Sequence, residues 1–351
     1  MLELATDLLP LLRNGESVAV ATVTRVARSA PRGAGAAMAL TQDGRVIGSI
    51  SGGCVEGDTV LLLRHALTTG EGATGRFGFT DEQAHAAGLA CGGSVDVVVS
   101  VVRPDSLAVA AMERTARGES ATLGIVAAGP DAGRVVAIGS GSETHMLDAA
   151  YDGHDVLAVV SERTPRLLVF GAGEHAAALC RVGAASGFSV TVCDPWSLLL
   201  TAERFPDADL LVEEYPHLFL DALDPDALDE RTAICVLTHD ERLDVPALRT
   251  ALSLPVGFVG AMGARSTVDR RAALLRQAGV DDAALARLHS PIGLDLGGAS
   301  PAHTALAILA EIVASRHGAT GLPLRDLAGP VHAGRASTTD AAASCTIAGV
   351  R

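Results

Sequence analysis

The residues most able to do chemistry in this sequence are two cysteines that stand beside paired glycines. One occurs in SISGGCVEGD at residues 49–58 and the other in ACGGS at residues 90–94. Glycine lets a ligand approach the backbone closely, and exposed N–H groups at a helix start lower the pKa of a thiol. Such a thiolate suits sulfur, a soft metal or an anion. We therefore expect both loops to bind a cofactor, through Gly52, Gly53, Cys54, Cys91, Gly92 and Gly93.

The other cysteines do not form clusters that would bind metal. The six cysteines of the chain include no C-x-x-C pair, so the sequence predicts neither structural zinc nor an iron–sulfur cluster. Cys180, Cys193 and Cys235 lie in apolar runs and are expected to be small buried hydrophobes. Cys345 is expected to be incidental.

A second candidate site begins at the glycine loop Gly171-Ala172-Gly173. It follows the apolar run RLLVF and opens a helical pattern, and Asp194 ends the next apolar run. Glycines at the turn, a helix N-terminus and an acid in this order are typical of a Rossmann fold. Glu174 stands where the helix would meet a phosphate, and a carboxylate there competes with an anion. The pattern thus predicts the fold, and it favours a crevice that holds another phosphorylated ligand, or none, over one that binds NAD or NADP.

Two further loops follow apolar runs in this half. His239-Asp240 ends ICVLTHD, and Gly263 and Arg265 lie in VGFVGAMGARS. Ligands of such sheets bind at the carboxyl ends of the strands, so these residues are expected to face the same crevice. Histidine can bind phosphate or move protons, and arginine can pair with an anion. A helix-capping role for the Thr-His-Asp loop is equally compatible with the sequence.

The elements that position these residues differ between the two halves. The first half alternates apolar and polar residues in strands that are mostly antiparallel, with a hairpin at Asp43-Gly44. The second half alternates strand and helix, which predicts a parallel sheet covered on both faces. The fold class is therefore α/β: an N-terminal mixed α+β domain (1–160), a Rossmann-like doubly wound parallel-sheet domain (161–318) and a partly disordered tail (319–351).

Composition excludes some classes of partner. The net charge of −14 and the 3% of aromatic residues argue against nucleic acid. No run of 18 apolar residues is present, so no membrane span is expected. The first 17 residues are typical of an amphipathic helix rather than a signal peptide, which predicts a cytoplasmic protein. High Ala and Gly with few Lys indicates a bacterial source with a GC-rich genome.

Several stretches together resemble the XdhC/CoxI family, accessory proteins of molybdenum hydroxylases such as xanthine dehydrogenase and carbon monoxide dehydrogenase. The resemblance spans about residues 18–332 and is weakest at about 103–160. The stretches that carry it are GRVIGSISGGCVEGD, GLACGGSVDVVV, LLVFGAGEHAAAL, VTVCD, ICVLTHD, VGFVGAMGARS, HSPIGLDLGGASPAHTALAILAEI and GLPLRDLAGPVH.

The resemblance implies a cofactor chaperone rather than an enzyme. Such a protein binds molybdenum cofactor (molybdopterin) as cargo, protects it while it gains its terminal sulfur, and hands it to the target hydroxylase. A cysteine desulfurase is the implied second partner, and a homodimer is expected. Cys54 and Cys91 fall on the motif cysteines, as contacts to molybdenum or sulfur, and Arg265 with backbone N–H groups would take the cofactor phosphate. The family's commoner Gly-Ala-Gly-His loop differs from this chain, where His175 comes one residue later.

Two other functions remain open at this point. An NAD(P)-dependent oxidoreductase would use the crevice around Gly171, with Cys54 or His239 donating protons, and ranks second. A redox sensor would form a reversible Cys54–Cys91 disulfide, which needs α-carbons within ~7 Å of each other; it ranks third.

Overall fold

The computed structural model describes residues 1–27, 32–53, 55–78, 94–224 and 227–328. The predictions for Cys54, Cys91, Gly92 and Gly93 fall outside these ranges, as does the tail from residue 329. The chain divides into two compact units, the first spanning Met1–Arg163 and the second beginning at Thr164.

The described part of the first unit contains a five-stranded antiparallel sheet in the order β3-β2-β1-β5-β4. A four-stranded antiparallel sheet has the order β7-β6-β9-β8. The strands are β1 Val18–Ala27, β2 Ala37–Leu40, β3 Val46–Gly48, β4 Ala73–Gly78, β5 Ser94–Val102, β6 Ala121–Val126, β7 Val135–Val136, β8 His145–Tyr151 and β9 His154–Ser161. The helices are α1 Ala5–Arg13, α2 Glu56–Thr69 and α3 Leu107–Ala116, with a 3₁₀ turn at Leu2–Leu4.

Alternation along β1 explains the layers of this unit. Ala19, Ala21 and Val23 pack with Leu63 and Ala66 of α2 on one face of the five-stranded sheet. The other face packs against α1, α3 and the four-stranded sheet, through residues that include Val18, Val20, Leu8, Met112 and Leu157. Successive strand residues point to opposite faces, so one apolar strand serves both cores. These sheets and helices form the mixed α+β half that the sequence predicts.

The described part of the second unit contains a six-stranded parallel sheet in the order β12-β11-β10-β13-β14-β15. The strands are β10 Arg166–Phe170, β11 Ser189–Cys193, β12 Leu210–Val212, β13 Ala233–Val236, β14 Phe258–Ala261 and β15 Leu288–His289. The helices are α4 Glu174–Ala185, α5 Pro216–Ala222, α6 Glu241–Ser253, α7 Arg265–Gln277, α8 Asp282–Leu285 and α9 Pro301–Arg316, with a 3₁₀ turn at Leu324–Asp326.

This strand order is that of a Rossmann fold, and it confirms the predicted fold class. The core on one face includes α4 and α9, and the core on the other includes α5, α6 and α7. The order reverses between β10 and β13, so the carboxyl ends of these two strands open a crevice where ligands of such sheets bind.

The prediction that three cysteines are buried hydrophobes is confirmed. Cys180, Cys193 and Cys235 are each at most 1% exposed. Burial raises the pKa of the Cys180 thiol to about 11 and that of Cys193 to about 12, so neither is a thiolate at neutral pH. Among the described helices, none combines the length and apolarity that crossing a bilayer requires.

Candidate functional site

A single carboxylate organises the loop on both sides of Cys54. Glu56 is the first residue of α2, and its side chain folds back over the preceding residues. Its Oε2 accepts hydrogen bonds from the backbone N–H groups of Gly53 (2.9 Å) and Val55 (3.1 Å), the two neighbours of Cys54. Its Oε1 accepts from the N–H groups of Ile50 (3.2 Å) and Ser51 (2.9 Å). The backbone on either side of the cysteine is therefore fixed by one charged group.

Two serines complete the cradle around this carboxylate. Ser49 donates its hydroxyl to Oε1 at 2.6 Å, and Ser51 donates its hydroxyl to Oε2. Partial burial opposes the ionisation of Glu56, but the hydrogen bonds from the two serines lower its pKa to about 2. The Ser49 carbonyl is held in turn by Arg32, whose Nη1 donates to it at 2.7 Å. Glu56 is thus ionised at any physiological pH.

The paired glycines are required by the shape of this loop. Gly52 has φ +80° and Gly53 has φ +122°, where L side chains are strained. Both residues are exposed, and a Cβ built on Gly53 would meet nothing within 4 Å. The loop therefore has an open backbone beside Cys54 whose conformation requires glycine, and a ligand could approach the main chain there.

The described residues that flank the Cys91 segment lie at the same end of the sheet as this loop. Residues 79–93 connect Gly78 of β4 to Ser94 of β5, and these two residues are paired with each other. Ser94 also pairs with Ala27, the last residue of β1. β3 runs in the same direction as β1, since both are antiparallel to β2, and it leads directly into residues 49–53. The described flanks of both cysteine segments therefore lie at one end of the sheet.

In the second unit, the glycine loop after β10 is tied to the end of β11. Asp194 accepts the Ala172 N–H on Oδ2 and the Trp196 N–H on Oδ1, each at 2.8 Å, and is 9% exposed. Gly171 has φ +107°, and a Cβ there would come within 2.9 Å of Thr238. Both carboxylate oxygens of Asp194 thus hold the loop, although each has a lone pair left for a ligand hydroxyl.

Glu174 carries its negative charge at the start of α4. Its Oε1 pairs with Arg204 Nη2 at 3.0 Å, and the same Nη2 reaches the Ala172 carbonyl at 3.3 Å. The Glu174 side chain is 74% exposed. Glu174 opposes an incoming pyrophosphate, because the carboxylate already complements the positive end of the helix.

His239 and Asp240 behave differently although they are adjacent. Asp240 is the N-cap of α6 and accepts the Arg242 N–H at 3.0 Å. Hydrogen bonds from Arg242 lower the pKa of Asp240 to about 2. His239 lines a cavity of about 490 Å³, whereas Asp240 does not. Asp240 therefore caps the helix, as one interpretation of this loop predicts, and His239 lines this cavity.

This cavity lies between α6 and α7, beside the ends of β13 and β14. A buried pair of opposite charges, Asp244 and Arg271, lies in its wall with Oδ2 and Nη2 3.7 Å apart. Burial raises the pKa of Asp244, against the opposing effects of the Thr238 hydroxyl and Arg271. The lining residues are His175, His239, Glu241, Asp244, Val245, Met262, Gly263, Ala264, Thr267, Arg271 and Leu274.

The structure places the predicted arginine and the cavity arginine on different parts of α7. Arg265 is exposed at the first position of the helix and is not among the lining residues, whereas Gly263 is. Arg271 was missed by sequence reasoning, as were Asp244 and Glu56. For Glu56 a signal exists, since an acid in the first turn of a helix is favoured by the unpaired N–H groups at that end. For Asp244 and Arg271, which lie on different helices, the spacing carries no such signal.

Comparison with known proteins agrees with both halves of this description. The model of the XdhC Rossmann domain matches residues 167–312, and the model of the XdhC and CoxI family matches residues 11–78. The two matches together cover more than half of the chain and include the Glu56 loop and the crevice.

Full-length relatives and a solved structure are also similar. A Bacillus subtilis (strain 168) protein described as a probable xanthine dehydrogenase subunit is 26% identical, covering 87% of this chain and 95% of the relative. The molybdenum cofactor insertion chaperone PaoD of Escherichia coli (strain K12) is 24% identical, covering 87% of this chain and 85% of the relative. A crystal structure described as a xanthine dehydrogenase from Bacillus halodurans has a TM-score of 0.71 at 22% identity, covering 89% of this chain and 95% of that one. This last likeness shows a shared fold.

Proposed function

Because the chain belongs to the XdhC/CoxI family, we propose that it is an accessory protein that binds molybdenum cofactor, supports its sulfuration and delivers it to a molybdenum hydroxylase. The client would be of the xanthine dehydrogenase or carbon monoxide dehydrogenase type. Support comes from a relative named as a molybdenum cofactor insertion chaperone, which aligns with 87% of this chain.

The observation that carries the proposal is the set of hydrogen bonds that Glu56 accepts from the residues on both sides of Cys54. Gly53 and Val55, the two neighbours of Cys54, both donate their backbone N–H groups to one carboxylate oxygen of Glu56. Thiolate is a soft ligand of the kind that molybdenum accepts. The exposed glycines beside it leave room for a cargo that must be released again. In this proposal Cys54 contacts the molybdenum or its sulfur, and Cys91 acts with it.

Two partners and a dimer complete the proposal. A cysteine desulfurase would supply the sulfur, and the apo-hydroxylase would receive the loaded cofactor. We expect a homodimer, which light scattering of the purified protein checks directly.

Delivery is tested by reconstitution of an apo-hydroxylase. Cofactor-loaded protein is mixed anaerobically with cofactor-free xanthine dehydrogenase, and the recovered activity is compared with that from free cofactor at the same molybdenum concentration. We expect faster and more complete recovery with the loaded protein. Equal recovery from free cofactor would contradict delivery.

An NAD(P)-dependent oxidoreductase is the second candidate, favoured by the Rossmann strand order and by the open space beside Gly173. The first turn of α4 fits a dinucleotide poorly, because Glu174 places a carboxylate where the pyrophosphate would lie. Titration with NADH and NADPH decides this candidate. Tight binding with turnover would favour the oxidoreductase over the chaperone.

A further inference from the structure

We infer that the cavity between α6 and α7 recognises a 2-amino-4-oxopyrimidine edge, the hydrogen-bonding edge that pterins and guanine share. The inference rests on the proposed function, since in molybdenum cofactor this edge belongs to the pterin. It adds which part of the cargo the second unit holds and which side chains hold it.

Asp244 provides an acceptor that the protein leaves unused. Its side chain is 5% exposed and lies in the cavity wall. Oδ1 accepts the Thr238 hydroxyl, whereas Oδ2 accepts no hydrogen bond from the part of the chain that the structure describes. A carboxylate oxygen in a cavity wall that accepts no hydrogen bond from the described residues is open to an incoming N–H donor.

Arg271 provides the complementary donor. It is 9% exposed, and its Nη1 donates to Ser290 Oγ while Nη2 donates to the Met262 carbonyl, both at 2.7 Å. These bonds fix the plane of the guanidinium in the cavity wall. Nε–H donates to none of the described residues, and the guanidinium has five N–H groups in all.

The pair matches one arrangement of ligand groups. A 2-amino-4-oxopyrimidine presents, in order, an exocyclic amine, the N3–H and the 4-oxo group. The first two are donors suited to a carboxylate, and the third is an acceptor suited to an adjacent guanidinium. Met262, Val245 and Leu274 supply apolar walls for a flat ring, and about 490 Å³ accommodates a bicyclic ring with substituents.

A purely structural ion pair is the competing explanation. Such a pair would join α6 to α7 and would need its remaining hydrogen-bonding capacity satisfied within the protein. A nicotinamide amide would also meet the pair, but it offers one donor-bearing group where a pterin offers two. These explanations make different predictions about how the 2-amino group of a ligand affects its affinity.

The test compares two ligands that differ at that group. Neopterin and the lumazine (pteridine-2,4-dione) that carries the same trihydroxypropyl side chain are titrated into the purified protein by fluorescence or calorimetry. Lumazine places an oxygen where pterin has its amine, so we expect the wild-type protein to bind neopterin at least tenfold more tightly. Equal affinity would overturn the inference, and this outcome needs no variant that must fold.

Variants then assign the preference to Asp244. In Asp244→Asn we expect the neopterin preference to fall to less than threefold, because the amide replaces one acceptor by a donor. Asp269→Asn, an exposed substitution on α7, should retain the wild-type ratio. A full preference in folded Asp244→Asn would also overturn the inference.

Further titrations distinguish a pterin from guanine as the ligand, and distinguish this inference from the proposed function. Guanosine monophosphate binding more tightly than neopterin, with the same dependence on Asp244, would assign the edge to guanine; the reverse order would assign it to a pterin. NADH binding more tightly than both would overturn the inference. Retention of molybdenum after desalting is measured separately. A protein that retains molybdenum but binds the two pteridines equally would support the chaperone and overturn this inference. A protein that prefers neopterin but retains no molybdenum would support this inference and contradict the chaperone.

Discussion

Replacing Glu56 by glutamine removes the charge that anchors the loop around Cys54 while keeping nearly the same shape. Glu56 accepts from six donors among the described residues: four backbone N–H groups and two serine hydroxyls. Glutamine keeps one oxygen and presents an NH₂ group in place of the other. About half of these donors therefore lose their acceptor in Glu56→Gln.

The expected loss of stability follows from the number and setting of these bonds. Hydrogen bonds to a charged group contribute roughly 1.5–3 kcal/mol each when well buried. This site is partly open, so water replaces some of the lost partners and screening reduces the charge effect. We therefore expect Glu56→Gln to lower the free energy of unfolding by about 1–2 kcal/mol at pH 7.

The pH dependence gives this prediction a second signature. The folded pKa of Glu56 is lowered from 4.5 to about 2, so its contribution is fully present above pH 4.5 and is lost as the pH falls toward 2. The difference in stability between wild type and Glu56→Gln should therefore be constant from pH 7 to 5 and shrink below pH 4.5.

Urea unfolding of both proteins at several pH values measures this difference. Glu119→Gln is the matched control, because Glu119 is an exposed partner of Arg117 in the same unit and its loss should change the free energy of unfolding much less. The reasoning fails if Glu56→Gln matches Glu119→Gln at pH 7, or if the Glu56→Gln difference is independent of pH.

Three further outcomes are expected. Gly53→Ala should lower the free energy of unfolding by about 1–2 kcal/mol, because alanine is strained at the φ of +122° that Gly53 adopts. Gly57→Ala inside α2 should raise the free energy of unfolding slightly. Equal urea midpoints for the two variants would contradict the requirement for glycine at position 53. Arg271→Met should lower the free energy of unfolding by about 3–5 kcal/mol, because it leaves the Asp244 charge buried and unpaired. The exposed control Arg270→Met should lower it by less than about 1 kcal/mol. Thermal melts of the two variants that coincide would refute this prediction. Thiol alkylation of the folded protein, followed by mass spectrometry, should leave the buried Cys180, Cys193 and Cys235 unmodified until urea is added. Modification of these cysteines without denaturant would contradict their burial.

The Rossmann half was predictable because its signals are local. A glycine turn after an apolar strand, a helix, and an acid at the end of the next strand follow one another along the chain. The role of Asp194 was not predictable in the same way. Its oxygens bind the N–H groups of Ala172 and Trp196, and this closure depends on how two adjacent parallel strands end in space.

The roles of the cavity residues could not be predicted from their spacing along the sequence. Asp244 and Arg271 are 27 positions apart and meet only because α6 and α7 pack side by side. Glu56 was visible in the quoted motif, yet its six-donor cradle depends on the turn that Gly52 and Gly53 impose. Burial and non-local contact decide such roles, and neither is written in a single sequence.

Anaerobic uptake of molybdenum cofactor by the purified protein tests the central claim most directly. The molybdenum retained after desalting is measured for wild type, for Cys54→Ser and for Cys180→Ala, a control that removes a thiol buried in the core of the second unit. We predict tight retention by wild type and Cys180→Ala and a loss of at least tenfold in Cys54→Ser. Full retention by Cys54→Ser, or none by wild type, would contradict the account.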